Sequence, residues 1–299
     1  MILMNMVTPP PDLAAISALQ SKLVSALRPI LPEHSLLWEP EDTIPYECDG
    51  LAAYRRMPLA VALPETEEQV AQILKICYAM QVPVVPRGSG TGLSGGAMPL
   101  SQGLVLSLAK LKKIVSIDPF TRTAVVQPGV RNLAISEAVA HLGLYYAPDP
   151  SSQIACSIGG NVNENSGGVH CLKYGLTLHN VLRVRGILMN GEIVEFGGLA
   201  PDAPGLDLLA IMMGSEGMLA VVTEVTVKLV AKPKLARVIM ASFDDIEKGG
   251  NAVAAIIAAG IIPAGLEMMD KATTRAVEEF VHAGYDLDAA AILLCESDG

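Results

Sequence analysis

Aromatic residues are scarce in this 299-residue chain, 4% of the total with a single tryptophan. Sites built from aromatic cages are therefore a poor expectation, and backbone is left as the surface able to hold a ligand closely. Positive charge is short as well, with 21 Lys and Arg against 31 Asp and Glu and a formal charge of −10. The densest basic stretch, Lys110, Lys112 and Lys113, is too short for a phosphate-tracking surface and reads as a solvated turn, so nucleic acid is excluded as a partner. The cysteines Cys48, Cys77, Cys156, Cys171 and Cys295 are odd in number and form no C-x-x-C pair, which points to free thiols in a reducing compartment. His34, His141, His170, His179 and His282 include no i, i+4 pair, so no metal site is expected. Met1–Pro11 lacks the basic and apolar regions of a signal peptide. The most apolar stretch, Ala252–Met269, is interrupted by Gly260, Pro263, Gly265 and Glu267, and reads as a buried helix followed by a strand, not a membrane span. What is present is a globular composition, 51% hydrophobic and 17% charged, with ample material for a core.

Periodicity predicts a helix over 12–30, a buried strand over 59–63, and then a helix opened by a Thr66/Gln69 capping box. On that helix Val70, Ile73, Leu74, Cys77 and Tyr78 share an apolar face. Strands follow at 82–86 and 104–108, a hairpin at 114–117 and 123–127, and a helix at 132–142. The long Gly/Asn/Ser-rich stretch 147–180 reads as a functional loop. A hairpin over 181–196 turns at Asn190-Gly191, a short helix covers 206–213, and a long strand 219–230 ends before Pro233. A β-α-β-α-β series follows at 238–243, 246–259, 266–268, 271–283 and 291–295, which reads as the opening of a separate α+β domain.

The run PRGSGTGLSGGAMP over 86–99 holds five glycines in nine residues. Such a backbone reaches positive φ and turns several N–H groups toward one point, which suits a phosphate. Ser89, Thr91 and Ser94 add hydroxyls. Gly90, Gly92 and Gly95 match G-x-G-x-x-G in letters only. Pro99 and Gly103 break any following helix, no Asp or Glu occurs between Arg87 and Asp118, and no Gly-Lys-Ser/Thr is present, so nicotinamide-dinucleotide and NTPase loops are both excluded. What remains is a strand–loop–strand gripping a diphosphate by backbone. Two further clusters, Pro148–Gly168 and Gly214–Gly217, imply a ligand long enough to touch all three.

Together these segments resemble the vanillyl-alcohol-oxidase-type (PCMH-type) FAD-binding superfamily, and within it the FAD-linked dehydrogenase chains of bacterial glycolate oxidases, the D-subunit type. The resemblance runs from about residue 40 to 299. It is carried by Ile44–Gly50, the loop at 87–97, Val126–Asn132, Tyr145–Thr177, Gly214–Leu229 and Gly265–Asp270. It implies an α+β fold: an N-terminal helical extension (1–50), a two-subdomain PCMH-type FAD-binding domain (51–232), and the first part of an α+β, ferredoxin-like substrate or cap domain (233–299). It also implies roles. Arg87, Gly88, Ser89, Gly90, Thr91, Gly92, Leu93, Ser94, Gly95 and Gly96 would hold the FAD pyrophosphate. Pro128, Gly129, Pro148, Asp149, Ser151, Ser152, Cys156, Ser157, Gly159, Gly160, Asn161, Gly167 and Gly168 would line the ribityl chain and isoalloxazine. Glu216, Gly217 and Val222 would lie near the adenine half.

The activity so implied is FAD-dependent oxidation of a small 2-hydroxy acid, glycolate or D-lactate, by hydride transfer from its α-carbon to the flavin. The flavin would be non-covalent, because residues 86–99 contain neither His nor Cys. The resemblance further implies a second flavin subunit, an iron–sulfur subunit, and a cytoplasmic location, peripheral at the inner face of the membrane through those partners. It puts the catalytic residues and a His-rich divalent-metal motif beyond Gly299, so no catalytic residue is expected within the chain, and the chain alone is expected to be nearly inactive. Two other readings stay open: a non-catalytic FAD-binding relay subunit of the same complex, and a nucleotide-sugar reductase of the same fold.

Overall fold

The computed structural model describes residues 13–200 and 205–299. Asp12, where the first helix was expected to start, and the segment read as lacking a signal peptide lie outside the described residues. Helix α1 (Leu13–Leu27) buries Leu23, Val24 and Leu27 on one face and stops ahead of Pro29. Strand β1 (Leu36–Leu37), the short α2 (Pro40–Thr43) and the fully buried β2 (Ala60–Ala62) follow.

In α3 (Glu67–Met80) the capping box forms as read: Gln69 N–H donates to Thr66 Oγ1, while Gln69 Oε1 accepts from Thr66 N–H. Val70, Ile73, Leu74 and Cys77 are buried. Tyr78 is not: at 54% exposure it falls off the edge of the apolar stripe, one step too far around the helix. Strands β3 (Val84–Arg87) and β4 (Leu104–Ser107) complete a sheet of order β1-β2-β4-β3, in which β2, β4 and β3 run parallel.

The second sheet is antiparallel, with order β5-β6-β10-β8-β9. It comprises β5 (Ile114–Asp118), β6 (Thr123–Val126), β8 (Val181–Ile187), β9 (Ile193–Gly197) and β10 (Val221–Lys228). Its hairpins turn where expected. Asp118 Oδ1 accepts from Phe120 and Thr121 N–H, and Gly191 takes φ +81°, which only glycine adopts freely. The two sheets are tied by Glu67 at the start of α3. It accepts from Arg185 Nε at 2.9 Å and from Thr223 Oγ1 at 2.6 Å, and these partners hold its carboxyl below the usual carboxylate range against the opposing effect of burial.

Between β6 and β8 lie α4 (Asn132–Val139), β7 (Leu144–Tyr145), α5 (Ile158–Glu164), α6 (Cys171–Tyr174) and α7 (Thr177–Asn180). The stretch 147–180 is therefore not the structureless loop its composition suggests. Its helices, of four to seven residues, are too short to carry periodicity, and side-chain bonds hold them instead. Asn165, left-handed at φ 49°, closes α5 and accepts from Leu178 N–H through Oδ1, and Thr177 Oγ1 donates to Ser166 O. Helix α8 (Leu208–Met212) is capped by Asp207, and β11 (Val230–Ala231) pairs with β7.

The last unit is a three-stranded antiparallel sheet of order β12-β14-β13, from β12 (Arg237–Phe243), β13 (Gly265–Asp270) and β14 (Ala291–Ser297). Helices α9 (Ile246–Ala258) and α10 (Lys271–Val281) pack beside it. The expectation of a buried helix here is corrected: Gly249 is the one buried residue of α9, and Ile246 and Ile257 are exposed. Apolarity alone does not bury a helix when little is packed over it.

Candidate cofactor-binding site

Parallel strand β3 ends at Arg87, and the Gly-rich loop opens at its carboxyl end, where ligands of parallel sheets bind. The Arg87 side chain lines that opening, but its guanidinium is already engaged. Its Nη1 donates to Cys48 O at 2.6 Å, and the group lies 5.6 Å from the Tyr46 ring centre. Burial pulls its pKa down, and the nearby Asp49 opposes that fall. The loop is bent around this side chain. A Cβ on Gly90 would stand 2.3 Å from Arg87 Nη2, and Gly90 takes φ +72°. Arg87 thus braces the loop from beneath.

Above the brace lies a cavity of about 210 Å³. Gly88, Ser89, Gly90, Thr91, Gly92 and Gly96 form one wall. The other is built by Pro128, Ser152, Cys156, Ser157, Gly159, Gly160 and Asn161, with Glu216 and Gly217 closing one side. A second cavity of about 400 Å³ shares Pro86, Gly96, Glu216 and Gly217 with the first and is otherwise lined largely by apolar residues, among them Leu74, Ile187, Leu219 and Val221. Joined, they fall in the usual 300–1,000 Å³ range of small-molecule and cofactor sites.

The remaining residues expected at the site lie elsewhere. Leu93 and Ser94 are exposed on the outer side of the loop, and Gly95 adjoins them outside the cavity wall. Ser151 is exposed, and Pro148 turns its carbonyl to Asn132 Nδ2 at 3.0 Å. Val222 is buried in the core of the second sheet. Gly129, Gly167 and Gly168 make room for other chain segments: a Cβ on Gly168 would stand 2.4 Å from the Asp149 backbone, and one on Gly167 would stand 2.8 Å from Leu176. Conversely, Asp49, Asn163 and Glu164 line the first cavity without having been named for it, beside Ser166 of the Pro148–Gly168 cluster. Asn163 Oδ1 accepts from Gly217 N–H at 2.9 Å and so sets the Glu216-Gly217 turn. No short-range pattern marks Asp49, Asn163 or Glu164; they meet only when α5 is docked.

Two buried polar atoms at the site have no partner, Ser157 Oγ and Asp49 Oδ2. Behind them, Asn161 is held by Asn132 Nδ2 at 3.0 Å and donates through Nδ2 to Cys156 Sγ at 3.4 Å. An unpaired hydroxyl beside glycines with open space ahead of them is the fitting of a polar ligand such as a diphosphate. Gly92 and Gly160 are of this kind, with nothing closer than 3.6 Å to the point a Cβ would take. Among the described residues no group of three or more His, Cys, Asp or Glu is placed to hold a metal ion.

Asp149 belongs to a different junction. Its Oδ2 meets His170 Nδ1 at 2.6 Å, and His170 Nε2 lies 3.3 Å from Glu296 of β14, so the imidazole bridges the first unit and the last sheet. Lys173 and Tyr174 both bond Asp298 alongside. Burial alone would lower the His170 pKa, but Asp149 first and then Glu296 outweigh it and hold it above the usual imidazole value. A raised folded pKa stabilises the junction fully below about pH 6.5, and that contribution is lost as pH rises through the folded value. Hydrogen exchange of the β14 amides is therefore expected to accelerate from pH 6 to 8.5 beyond the intrinsic rate. The His170→Gln variant should abolish the excess, which screening keeps to about 1 kcal/mol or less. An excess that survives in the variant would show that the bridge does not hold the sheet.

Comparison with known proteins gives a consistent picture. Residues 58–197 match the family described as FAD binding domain, and residues 232–299 match the one described as FAD linked oxidases, C-terminal domain. The chain is 61% identical over 280 residues to glycolate oxidase subunit GlcD of Escherichia coli (strain K12), covering 94% of this chain and 56% of that protein. It is 32% identical over 262 residues to the D-lactate dehydrogenase of Anaerostipes hadrus, covering 87% and 55%. The chain thus spans about half the length of the curated relatives it matches. Among solved structures, alkyldihydroxyacetonephosphate synthase superposes with a TM-score of 0.81 at 19% identity, over 100% of this chain and 58% of that one. That likeness shows the α+β fold, and the FAD binding domain match makes it the PCMH-type FAD-binding fold.

Proposed function

The chain belongs to the FAD-linked oxidases of the glycolate oxidase GlcD type, and from that premise we propose that it binds FAD non-covalently along the two joined cavities for the oxidation of a small 2-hydroxy acid, glycolate or D-lactate. The observation that carries the cofactor reading is the pairing of open-faced glycines with the unpartnered Ser157 hydroxyl in a cavity that adjoins a second one of about 400 Å³. Backbone amides of Gly88–Gly92 and the Ser157 Oγ would bind the diphosphate, and the apolar second cavity suits the adenine. Ser152, Cys156, Gly160 and Asn161 would border the flavin end. FAD, when bound, supplies the two-electron redox chemistry; the protein's part is to orient and enclose. Cys156 is buried and takes a hydrogen bond from Asn161, which suits packing and not attachment.

The substrate carboxylate needs a cationic partner. The charged side chains of the first cavity are Asp49, Glu164, Glu216 and the already engaged Arg87. We assign carboxylate binding, and any metal, to residues other than these. The FAD-binding part is proposed to span 51–232 and a substrate domain to begin at 233. The relatives' name, a subunit, points to an assembly; we propose that electrons pass within one, to a second flavin chain and an iron–sulfur chain, in the cytoplasm. No helix of the described residues is long and apolar enough to cross a membrane.

Purified protein is expected to be yellow, and acid precipitation should release all the flavin into the supernatant; a colourless protein that takes up no FAD defeats the cofactor reading. Mixed anaerobically with glycolate or D-lactate, the 299 residues alone should stay oxidised, while a polypeptide of the relatives' length should bleach with one of the two acids. Bleaching of the 299-residue chain within seconds would put the substrate site inside it. Bleaching by NADPH in place of the acids would favour the nucleotide-sugar reductase reading.

A further inference from the structure

Three carboxylates line a cleft whose proposed ligand is a diphosphate, and one of them stands in the way. Glu164, the last residue of α5, projects across the mouth of the Gly-rich loop. Its Oε1 lies 3.3 Å from the point a Cβ on Gly96 would take and 3.6 Å from that of Gly92, both on the loop wall of the cavity. Glu216 Oε2 reaches within 3.6 Å of the same Gly96 point. Ser94 Oγ donates to the other oxygen of Glu164 at 3.4 Å, which keeps the side chain leaning over the loop.

We propose that the Glu164 carboxyl shares the diphosphate subsite and takes up one proton when the cofactor binds, so that this single side chain sets the pH dependence of flavin retention. The inference rests on the FAD reading above. Its physical basis is simple: a dianion cannot settle against an ionised carboxylate in the same opening, and the cheapest relief is a proton on the carboxyl, which then donates to a phosphate oxygen. The groups around Glu164 favour that outcome. Loss of water against the cleft wall already raises its pKa although the side chain is exposed at the mouth, and Glu216 and then Asp49 raise it further, with Ser94 opposing. The one cation lining the cavity, Arg87, is turned to Cys48 O. On the elements packed against α5, His179 of α7 accepts from Leu176 N–H, and Glu224 of β10 is paired with Arg183, so neither is free to compensate.

The test is an FAD titration of apo-protein, followed by quenching of flavin fluorescence, from pH 5.5 to 8.5. The wild type should weaken by up to about tenfold per pH unit where one proton is linked to binding. Glu164→Gln keeps the shape and removes the titration. It should bind with little dependence on pH and at least about tenfold more tightly than wild type at pH 8.5. Glu164→Asp retains an acid and should keep a slope. Proton uptake on mixing in weak buffer should approach one per FAD in the wild type and vanish in Glu164→Gln. An unchanged slope in Glu164→Gln, or weaker binding by it at pH 8.5, overturns the proposal: the carboxylate then swings aside or donates nothing. A wild type that binds no FAD at any pH is a different result and defeats the cofactor reading itself.

Discussion

Replacing Gly92 with valine is expected to leave the fold intact and empty the protein of flavin. Gly92 is not among the glycines held at positive φ, so a branched side chain meets no backbone strain there. The space around the new Cβ is open, with Glu164 Oε1 at 3.6 Å as its nearest protein neighbour. Valine would therefore occupy ligand space in a cavity of about 210 Å³ and collide with whatever fills it. Flavin content, read as the ratio of visible to protein absorbance, should fall from near full to under about a tenth, while far-UV circular dichroism and the Tm of the apo-protein shift little, within about 0.5 kcal/mol as for most surface changes. Full flavin in the variant would remove the loop from the cofactor site. Neighbouring glycines make poorer tests. Gly95 is held at φ +77°, and a Cβ on Gly90 strikes Arg87 at 2.3 Å, so substitutions there disturb the loop before any ligand is involved.

The opposite result is expected at Gly129, three residues beyond β6. A Cβ there would stand 2.6 Å from Leu108 O, 2.8 Å from Leu111 O and 3.2 Å from Ala109 O. These are backbone carbonyls, and Leu111 O is fixed by the 2.7 Å hydrogen bond it accepts from Gly129 N–H itself. The clash has no flexible side chain to absorb it. Gly129→Ala should cost about 1–3 kcal/mol by overpacking, and more if the bond breaks. That lowers Tm by several degrees at the roughly 2–4 °C per kcal/mol usual for domains of this size. The fraction that folds should still hold flavin in full, because Pro128 and not Gly129 lines the cavity. Loss of flavin from well-folded Gly129→Ala would return this glycine to the site.

These two glycines show how far sequence reading reaches. Both sit in conspicuous Gly-containing motifs, and the resemblance assigns both to the cofactor. Whether a glycine makes room for a ligand or for another stretch of chain depends on what crosses it. For Gly129 that is the segment 108–111, for Gly159 the ring of Pro128, and for Gly168 the backbone of Asp149. No local pattern contains that information. Asp149 is a similar case: its motif suggests the flavin end, and its carboxylate is spent on His170.

What the sequence by itself determined is whatever is settled within a few residues. The Thr66/Gln69 cap, the Asn190-Gly191 turn, the Asp118 turn and the buried stripe of α3 each satisfy their own backbone or present their own face, so the pattern carries the outcome. The flavin family was legible for a related reason, because a backbone-built phosphate site must be written in glycines. Tertiary structure alone decided the rest. It folded the 147–180 stretch into short helices held by Asn165 and Thr177, bonded Arg87 to Cys48 O beneath the loop, and left α9 largely uncovered. It also brought Asp49, Glu164 and Glu216, from three distant segments, to one opening. Like charges do not gather by local preference. They meet here because separate segments, each placed by its own packing, end at the same cleft, the one proposed for the diphosphate.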